Sequence, residues 1–310
     1  MGRMNISEDF RIFITPTETA DEVLSDIRDN VKDGNVTGLK WWLKLMKYDG
    51  NVRSGSYVIK KYSRPRTIQT MLSSGLQTPL NVVVGSPRTI YDMAASISSQ
   101  LMADSMSFVG FMSDTTSLQQ YGLTPTTVFE LIIPNTYQFY WNVSPEAFFK
   151  RMDKERKEFW EKRQEKTESI GLTPSQVMTL ASIVQEETAM ADEMPKVAGL
   201  YMNRLNRGML LQADPTVIFA LGGKRPKRVL FSHLDVDSPY NTYKYPGLPP
   251  APIRFVSITA IDAVLNYTRH NYIYMCAKED FSGYHNFAVT LSQHNANAAR
   301  YQRALSLSGR

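Results

Sequence analysis

A single cysteine, Cys276, and four histidines are all that 310 residues offer among the softer metal ligands. One cysteine excludes an intrachain disulfide, and without a CxxC pair there is no thiolate zinc site or iron–sulfur centre. There is no HExxH, the histidine spacing matches no metal triad, and no GxSxG elbow presents a serine nucleophile. No stretch approaches the roughly 18 apolar residues of a membrane span, and the opening MGRMNISEDF lacks the apolar stretch of a signal peptide. Charge of one sign is rarely concentrated either. The 35 Lys and Arg face 30 Asp and Glu, a formal balance of +5, and the two signs are interleaved. The densest stretch, Glu146–Lys166, carries eight positive and six negative side chains, the pattern of a solvated helix with pairs three or four residues apart. Lys224, Arg225, Lys227 and Arg228 form the one compact basic patch and read as a surface loop. No nucleic-acid partner is indicated.

What is present is globular. Hydrophobic residues make up 43% and charged residues 21%, and a chain of this length buries roughly 75% of its unfolded surface, enough for two or three cores. The first hundred residues read as strand–turn–helix units in a small α/β layer. Apolar runs at 11–14, 57–59 and 82–84 each lead through a Pro-containing turn into a helical pattern, with Val23, Leu24 and Ile27 marking the first. The tetrapeptide PRTI occurs at 65–68 and again at 87–90, with Pro breaking the strand and Thr available to cap the helix. A further helix around Leu39–Met46 carries Trp41 and Trp42. The apolar patches Ser105–Met112 and Val128–Trp141 fit neither pattern cleanly. The aromatics of the second favour core packing over a ligand groove.

The signals sharpen at Thr173. Thr173 as N-cap, Pro174 at the first helical position and Gln176 as capping-box partner predict a helix through QVMTLASIVQEETAM, following Gly171. At 100° per residue, Val177, Leu180, Ala181, Val184 and Thr188 share one stripe, with Glu187 beside Leu180 and Ile183. Glu186 falls opposite, towards water, and Gln185 on the other flank. A carboxylate on an apolar stripe has its pKa raised and can serve as a general acid. The alternative for Glu187 is a structural pair with Arg204 on the next helix, 192–207, whose inward side is Val197, Leu200, Tyr201, Arg204 and Leu205.

Gln212 and Asp214 follow in a turn. The stretch 237–253 then holds enough Pro and Gly to forbid regular helix, and its Tyr240, Asn241, Thr242, Tyr243 and Tyr245 offer the flat faces and neutral donors that suit sugar rings. A self-packed surface loop is the other possibility for it. A helix at 258–265, a strand at 272–277 and a final helix after Thr290 complete the chain. His285 and His294 read as hydrogen-bonding groups.

LASIVQEET (Leu180–Thr188), VAGLYMNRLNRGMLLQADPTVI (Val197–Ile218), SPYNTYKYPGLPPAPI (Ser238–Ile253) and GYHNFAVTLSQHN (Gly283–Asn295) together resemble the membrane-anchored endolytic murein transglycosylases of the YceG-like family. FELIIPNTYQFYW (129–141) looks like that family's lead-in. The family usually carries Glu and Lys where this chain has Gln185 and Glu186, so Glu187 is the acidic candidate that both lines retain. Ala251 stands for a common Gly, and Arg254–Ser257 departs from the usual continuation.

The resemblance implies an α+β fold: a small N-terminal α/β region, LysM-like in part, over 1–80, a linking α/β region with the aromatic-rich segment and charged helix over 81–170, and a lytic transglycosylase catalytic domain over 171–310. It implies cleavage of the β-1,4 bond between N-acetylmuramic acid and N-acetylglucosamine, with Glu187 catalytic and a 1,6-anhydro product. Gln212, Asp214, Tyr240, Asn241, Thr242, Tyr243 and His285 are the expected substrate contacts. No cofactor or metal is implied. Expected partners are peptidoglycan glycan strands, cell-wall synthesis proteins and the bacterial inner membrane, reached by a single N-terminal anchor upstream of this soluble, periplasmic portion. Two alternatives remain: a lysozyme-like hydrolase using Glu187 with Asp214 or Asp235, and a glycan-binding scaffold in which Glu187 is structural.

Overall fold

The computed structural model describes residues 2–222 and 230–308. The basic patch at 224–228 lies outside them. Along the chain run β1 (Phe10–Ile14), α1 (Ala20–Arg28), α2 (Thr37–Leu45), β2 (Gly55–Ile59), α3 (Pro65–Ser74), β3 (Leu80–Val84), α4 (Ile90–Ser98), α5 (Ser105–Ser113), α6 (Thr115–Gln119) and β4 (Asn135–Phe139). Then come α7 (Pro145–Glu161), α8 (Gln164–Ile170), α9 (Pro174–Glu187), α10 (Met194–Asn206), α11 (Asp214–Ala220), α12 (Ile258–Leu265), β5 (Tyr274–Ala277), β6 (His285–Ala288) and α13 (Leu291–Ser308). The fold is α+β: helices with small, separate antiparallel sheets. Among the described residues no helix is long and apolar enough to cross a membrane.

One unit comprises Met1–Val84, Ala94–Phe111 and Asn135–Phe148. β1 pairs antiparallel with β2, from Phe10 opposite Ile59 to Ile14 opposite Gly55. α1 and α2 lie between them in sequence. A capping box starts α1, Thr19 accepting the Glu22 N–H while the Glu22 carboxylate takes the Thr19 N–H at 2.7 Å. Its Val23, Leu24 and Ile27 then pack with Ile12, Leu39, Leu43, Tyr57, Ile59 and Ile68. β3 does not join this pair, contrary to the single layer expected. It pairs antiparallel with β4, Leu80 opposite Phe139 and Val84 opposite Asn135. Local pattern identifies a strand but not a partner more than fifty residues away.

The two PRTI copies also differ. Pro65 opens α3 at the first helical position behind Arg64, so Thr67 lies inside the helix and caps nothing. Thr89 does cap α4, accepting the Asp92 N–H at 3.0 Å. Of the two patches that sequence pattern left without a clear element, Ser105–Met112 is helical, as part of α5. Phe129, Tyr137 and Phe139 of the second are core residues, while Tyr140 is exposed.

The other unit comprises Gly85–Met93, Met112–Pro134 and Phe149–Arg310. Its charged helical stretch breaks into α7 and α8, and α8 ends at Gly171 with φ +68°, a left-handed C-terminal position suited to glycine. α9 begins as the sequence predicts, with Thr173 and Gln176 in a reciprocal capping box and Pro174 at the first position. Val177 to Val184 are buried without interruption, and Ala198, Leu200, Tyr201, Ile261 and Val264 belong to the same core. Each fully buried Val, Leu or Ile contributes roughly 1.5–3 kcal/mol.

α10 carries a tight approach. A Cβ on Gly199 would sit 2.1 Å from the Thr268 carbonyl oxygen. Glycine there lets the segment after α12 dock, through Thr268 N–H to Pro195 O at 2.9 Å. The stretch 237–253 has neither helix nor strand, as its prolines require. β5 and β6 pair antiparallel, Ala277 opposite His285.

Candidate active site

Glu187 is the last residue of α9, and its Oε1 accepts the Tyr201 hydroxyl at 2.6 Å. Tyr201 stands on α10 on the same face as Val197 and Arg204, so one helix surface supplies both core and ligand for the carboxyl. Glu187 and Tyr201 line a cleft of about 220 Å³ with Leu200, Arg204, Leu211, Gln212, Asp214, Tyr243, Met275, Cys276, Ala277 and His285. Burial pushes the Glu187 carboxyl up to about 7; the Tyr201 hydrogen bond opposes the shift, and the nearby Asp214 charge adds to it. A carboxyl poised there is an acid that can deliver a proton at neutral pH and a base that can take one back.

The alternative pairing of Glu187 with Arg204 is not what holds the carboxyl, whose hydrogen bond comes from Tyr201. The Arg204 guanidinium is committed to backbone carbonyls, Ile273 O at 2.7 Å and Leu211 O at 2.7 Å, and to Gln212 Oε1 at 3.3 Å. It ties α10 to the turn before α11 and to the start of the β5 region.

Gln212, Asp214, Tyr243 and His285 are brought together around Glu187. Gln212 adopts φ +50°, with its N–H donating to Thr242 O at 3.0 Å. Asp214, opening α11, accepts the Tyr243 hydroxyl at 2.6 Å. That bond and burial raise the Tyr243 pKa, burial being the larger cause. His285 places Nδ1 2.9 Å from Glu193 Oε2, and its backbone N–H donates to Glu193 Oε1 at 2.8 Å.

Tyr240, Asn241 and Thr242 are not lining residues of this cleft. Tyr240 packs on Phe219, ring centroids 4.7 Å apart. Asn241 is fully buried and donates to Leu234 O and Val236 O at 2.8 Å. Thr242 is buried, accepting the Ala213 N–H at 3.0 Å and sharing a hydrogen bond with Thr216. They shape the loop that presents Tyr243. Asp235 also lies away from the cleft, its carbonyl receiving Lys244 Nζ at 2.7 Å.

Glu186 corrects the expectation of a water-facing side chain. It accepts Arg88 in bidentate fashion, Nε at 2.7 Å and Nη2 at 3.1 Å, and also pairs with Arg254, leaving its side chain 6% exposed. Arg254 reaches Ser86 O as well. Gln185 accepts the Ser257 N–H at 2.8 Å and approaches Ser86 Oγ at 3.3 Å. The segments 86–88 and 254–257 cover the side of α9 that helical periodicity assigns to solvent.

Tyr201, Arg204 and Glu193 are site residues that motif reasoning did not assign. Tyr201 and Arg204 carried a signal, lying on the inward face of the predicted second helix. Glu193 carried none, because its partner is 92 residues away. Among the described residues no three His, Cys, Asp or Glu side chains come together as metal ligands.

Comparison with known proteins adds to this geometry. The sequence model of the YceG-like family matches residues 12–300. The endolytic murein transglycosylase of Bacillus subtilis strain 168 is 29% identical over 274 residues, 83% of this chain and 75% of that protein. The endolytic murein transglycosylase of Streptococcus pneumoniae D39 is 33% identical over 137 residues, 43% of this chain and 25% of its own length. A crystal structure of a YceG-like protein from Listeria monocytogenes superposes with a TM-score of 0.61 at 26% identity, covering 93% of this chain and 98% of the other.

Proposed function

The chain belongs to the YceG-like family, and from that premise we propose that it is an endolytic murein transglycosylase cutting within peptidoglycan glycan strands. The observation that carries the reading is Glu187: a carboxyl on the family's motif helix, raised to about 7, held by Tyr201 in a polar cleft. Glu187 protonates the oxygen of the β-1,4 bond between N-acetylmuramic acid and N-acetylglucosamine as the muramoyl C1 gains oxocarbenium character, and the C1–O bond breaks. The C6 hydroxyl of the same sugar attacks C1, its proton passes to the Glu187 carboxylate, and a 1,6-anhydro end forms with the acid regenerated. An intramolecular nucleophile needs no activated water and no second catalytic carboxylate. Gln212, Asp214, Tyr243 and His285 are the substrate contacts in this reading, supported by their shared cleft. Tyr240, Asn241 and Thr242 act by holding the loop.

Catalytic groups then come from residues 171–310, with 81–170 as the linking region. Residues 1–80 serve as a glycan-holding region, LysM-like in part, a reading supported by the strand–helix–helix–strand order of β1, α1, α2 and β2 with its strands antiparallel. The setting that fits is the bacterial envelope, with an inner-membrane anchor, a periplasmic active site and cell-wall synthesis proteins as neighbours.

Mass spectrometry of purified glycan strands incubated with the chain and with Glu187→Gln tests the proposal. Internal cuts ending in 1,6-anhydromuramic acid, reduced at least 100-fold in the variant, are expected, on the roughly 10²–10⁴-fold contribution of general acid–base catalysis. Reducing ends would instead identify a hydrolase and make Asp214 the candidate base.

A further inference from the structure

His285 makes two hydrogen bonds to one buried carboxylate, through its backbone N–H and its ring Nδ1. Glu193 is 6% exposed and sits in the connection between α9 and α10. Its Oε1 accepts the His285 backbone N–H, so that oxygen acts as an acceptor, and its Oε2 lies 2.9 Å from Nδ1. A carboxylate in that position accepts from a proton-bearing Nδ1, and in the Nδ1–H tautomer Nε2 carries a bare lone pair. Nε2 has no hydrogen-bond partner among the described residues, and it is not sealed from solvent. The neighbouring residue reinforces the placement: the Tyr284 hydroxyl reaches both oxygens of Asp192 at 3.1 Å. Two consecutive acids thus pin two consecutive residues at the start of β6, and His285 is left lining the cleft that contains Glu187.

Most of the other polar groups of the cleft are engaged, although Glu187 and Asp214 each use one carboxyl oxygen and keep the second for an incoming group. Tyr201 donates to Glu187, Tyr243 donates to Asp214, and Arg204 donates to carbonyls and Gln212. Beside those two oxygens, His285 Nε2 is the nitrogen acceptor that remains in the cleft for an incoming hydroxyl. We propose that Glu193 is a positioning residue that locks His285 in the Nδ1–H tautomer, so that Nε2 accepts a hydrogen bond from the muramoyl C6 hydroxyl and aims its oxygen at C1. Once Glu187 has given its proton to the leaving oxygen, the hydroxyl swings its single hydrogen from Nε2 to the Glu187 carboxylate as O6 bonds to C1, so the proton ends on Glu187 and His285 is unchanged. This inference rests on the transglycosylase reading and adds what makes the C6 hydroxyl win over water in the cleft.

Two measurements test it. Nitrogen-15 NMR of the ring nitrogens, tractable with four histidines in the chain, reads the tautomer without substrate. An unprotonated Nε2 in the native protein, turned into a protonated one in Glu193→Gln, is expected, because the amide can present N–H to Nδ1. A native Nε2–H tautomer would overturn the proposal.

The second measurement is the ratio of anhydro to reducing ends from glycan strands. In a folded His285→Ala variant, checked by circular dichroism, the anhydro fraction should fall at least tenfold relative to reducing ends. His285→Gln, which restores an acceptor oxygen, should recover most of it. An unchanged ratio in His285→Ala, or no recovery in a folded His285→Gln, would overturn the role of Nε2. Reducing ends from the native protein would defeat the transglycosylase reading itself, while the NMR result would still report separately on the Glu193–His285 lock.

Discussion

The hydroxyl of Tyr201 and the carboxyl of Glu187 form an acid–base control made of two side chains. Burial raises the Glu187 pKa to about 7, and the Tyr201 hydrogen bond opposes that rise by favouring the carboxylate. In the proposed reaction Glu187 is protonated when the glycosidic bond breaks, so activity should be full below about 7 and fall as pH rises through that value. Tyr201→Phe deletes the bond that favours the charged form, so its alkaline limb should move to higher pH. Initial rates of anhydro-end formation across pH, for both proteins, check the direction. A limb moving to lower pH would show that Tyr201 does not stabilise the carboxylate. Arg204 is the cation that sequence pattern offers Glu187, and it is committed elsewhere. Its guanidinium satisfies carbonyls that would otherwise be buried without donors, which is why it cannot also neutralise the acid.

At the scale of elements, α9 explains why periodicity carries Glu187 along the buried stripe into the cleft yet misplaces its neighbour Glu186. The stripe Val177, Leu180, Ala181 and Val184 is buried as predicted, and Glu187 continues it into the cleft. A helix covered on every side no longer has a solvent face, however, so the position opposite the stripe tells nothing about exposure. Glu186 occupies that position and is clamped by Arg88 and Arg254. The packing of α10 is equally demanding. Gly199→Ala would place a methyl group 2.1 Å from the Thr268 carbonyl oxygen, a backbone atom with little room to give. A loss of about 1–3 kcal/mol is expected from such overpacking, read as a lower urea midpoint with an unchanged slope. An unaltered midpoint would mean that the segment after α12 moves freely.

At the scale of the molecule, the parts written in local patterns were legible and those depending on distant partners were not. The capping box at Thr173, the turn-rich stretch 237–253 and the terminal helix all follow from neighbouring residues. The pairing of β3 with β4 and the bond between Glu193 and His285 join residues far apart in sequence, which no local window contains. Of the eight side chains expected at the site, Asn241 and Thr242 show the limit most clearly. A polar loop residue reads the same whether it faces a sugar or the loop's own carbonyls.

The second unit also draws on Gly85–Met93, well upstream of α9. Phe255 donates its N–H to Pro87 O at 3.2 Å, and Arg88 completes the clamp on Glu186. A fragment of residues 171–310 should therefore lack the cooperative urea transition of the full chain, as followed by near-ultraviolet circular dichroism. A fragment with native-like signal and a sharp transition would show that the upstream segment is dispensable.

The left-handed backbone of Gln212 has a consequence for how this sequence can be improved. A non-glycine residue at φ +50° carries strain of about 1–2 kcal/mol, yet the position faces the cleft and its side chain meets Arg204. Gln212→Gly should relieve the strain and raise the melting temperature, while weakening glycan binding, as thermal scans and binding titrations would register. A variant that gained both would count against any trade-off here. Selection for heat tolerance and selection for turnover therefore pull this codon in opposite directions, and a laboratory evolution experiment run under either pressure alone should diverge at position 212.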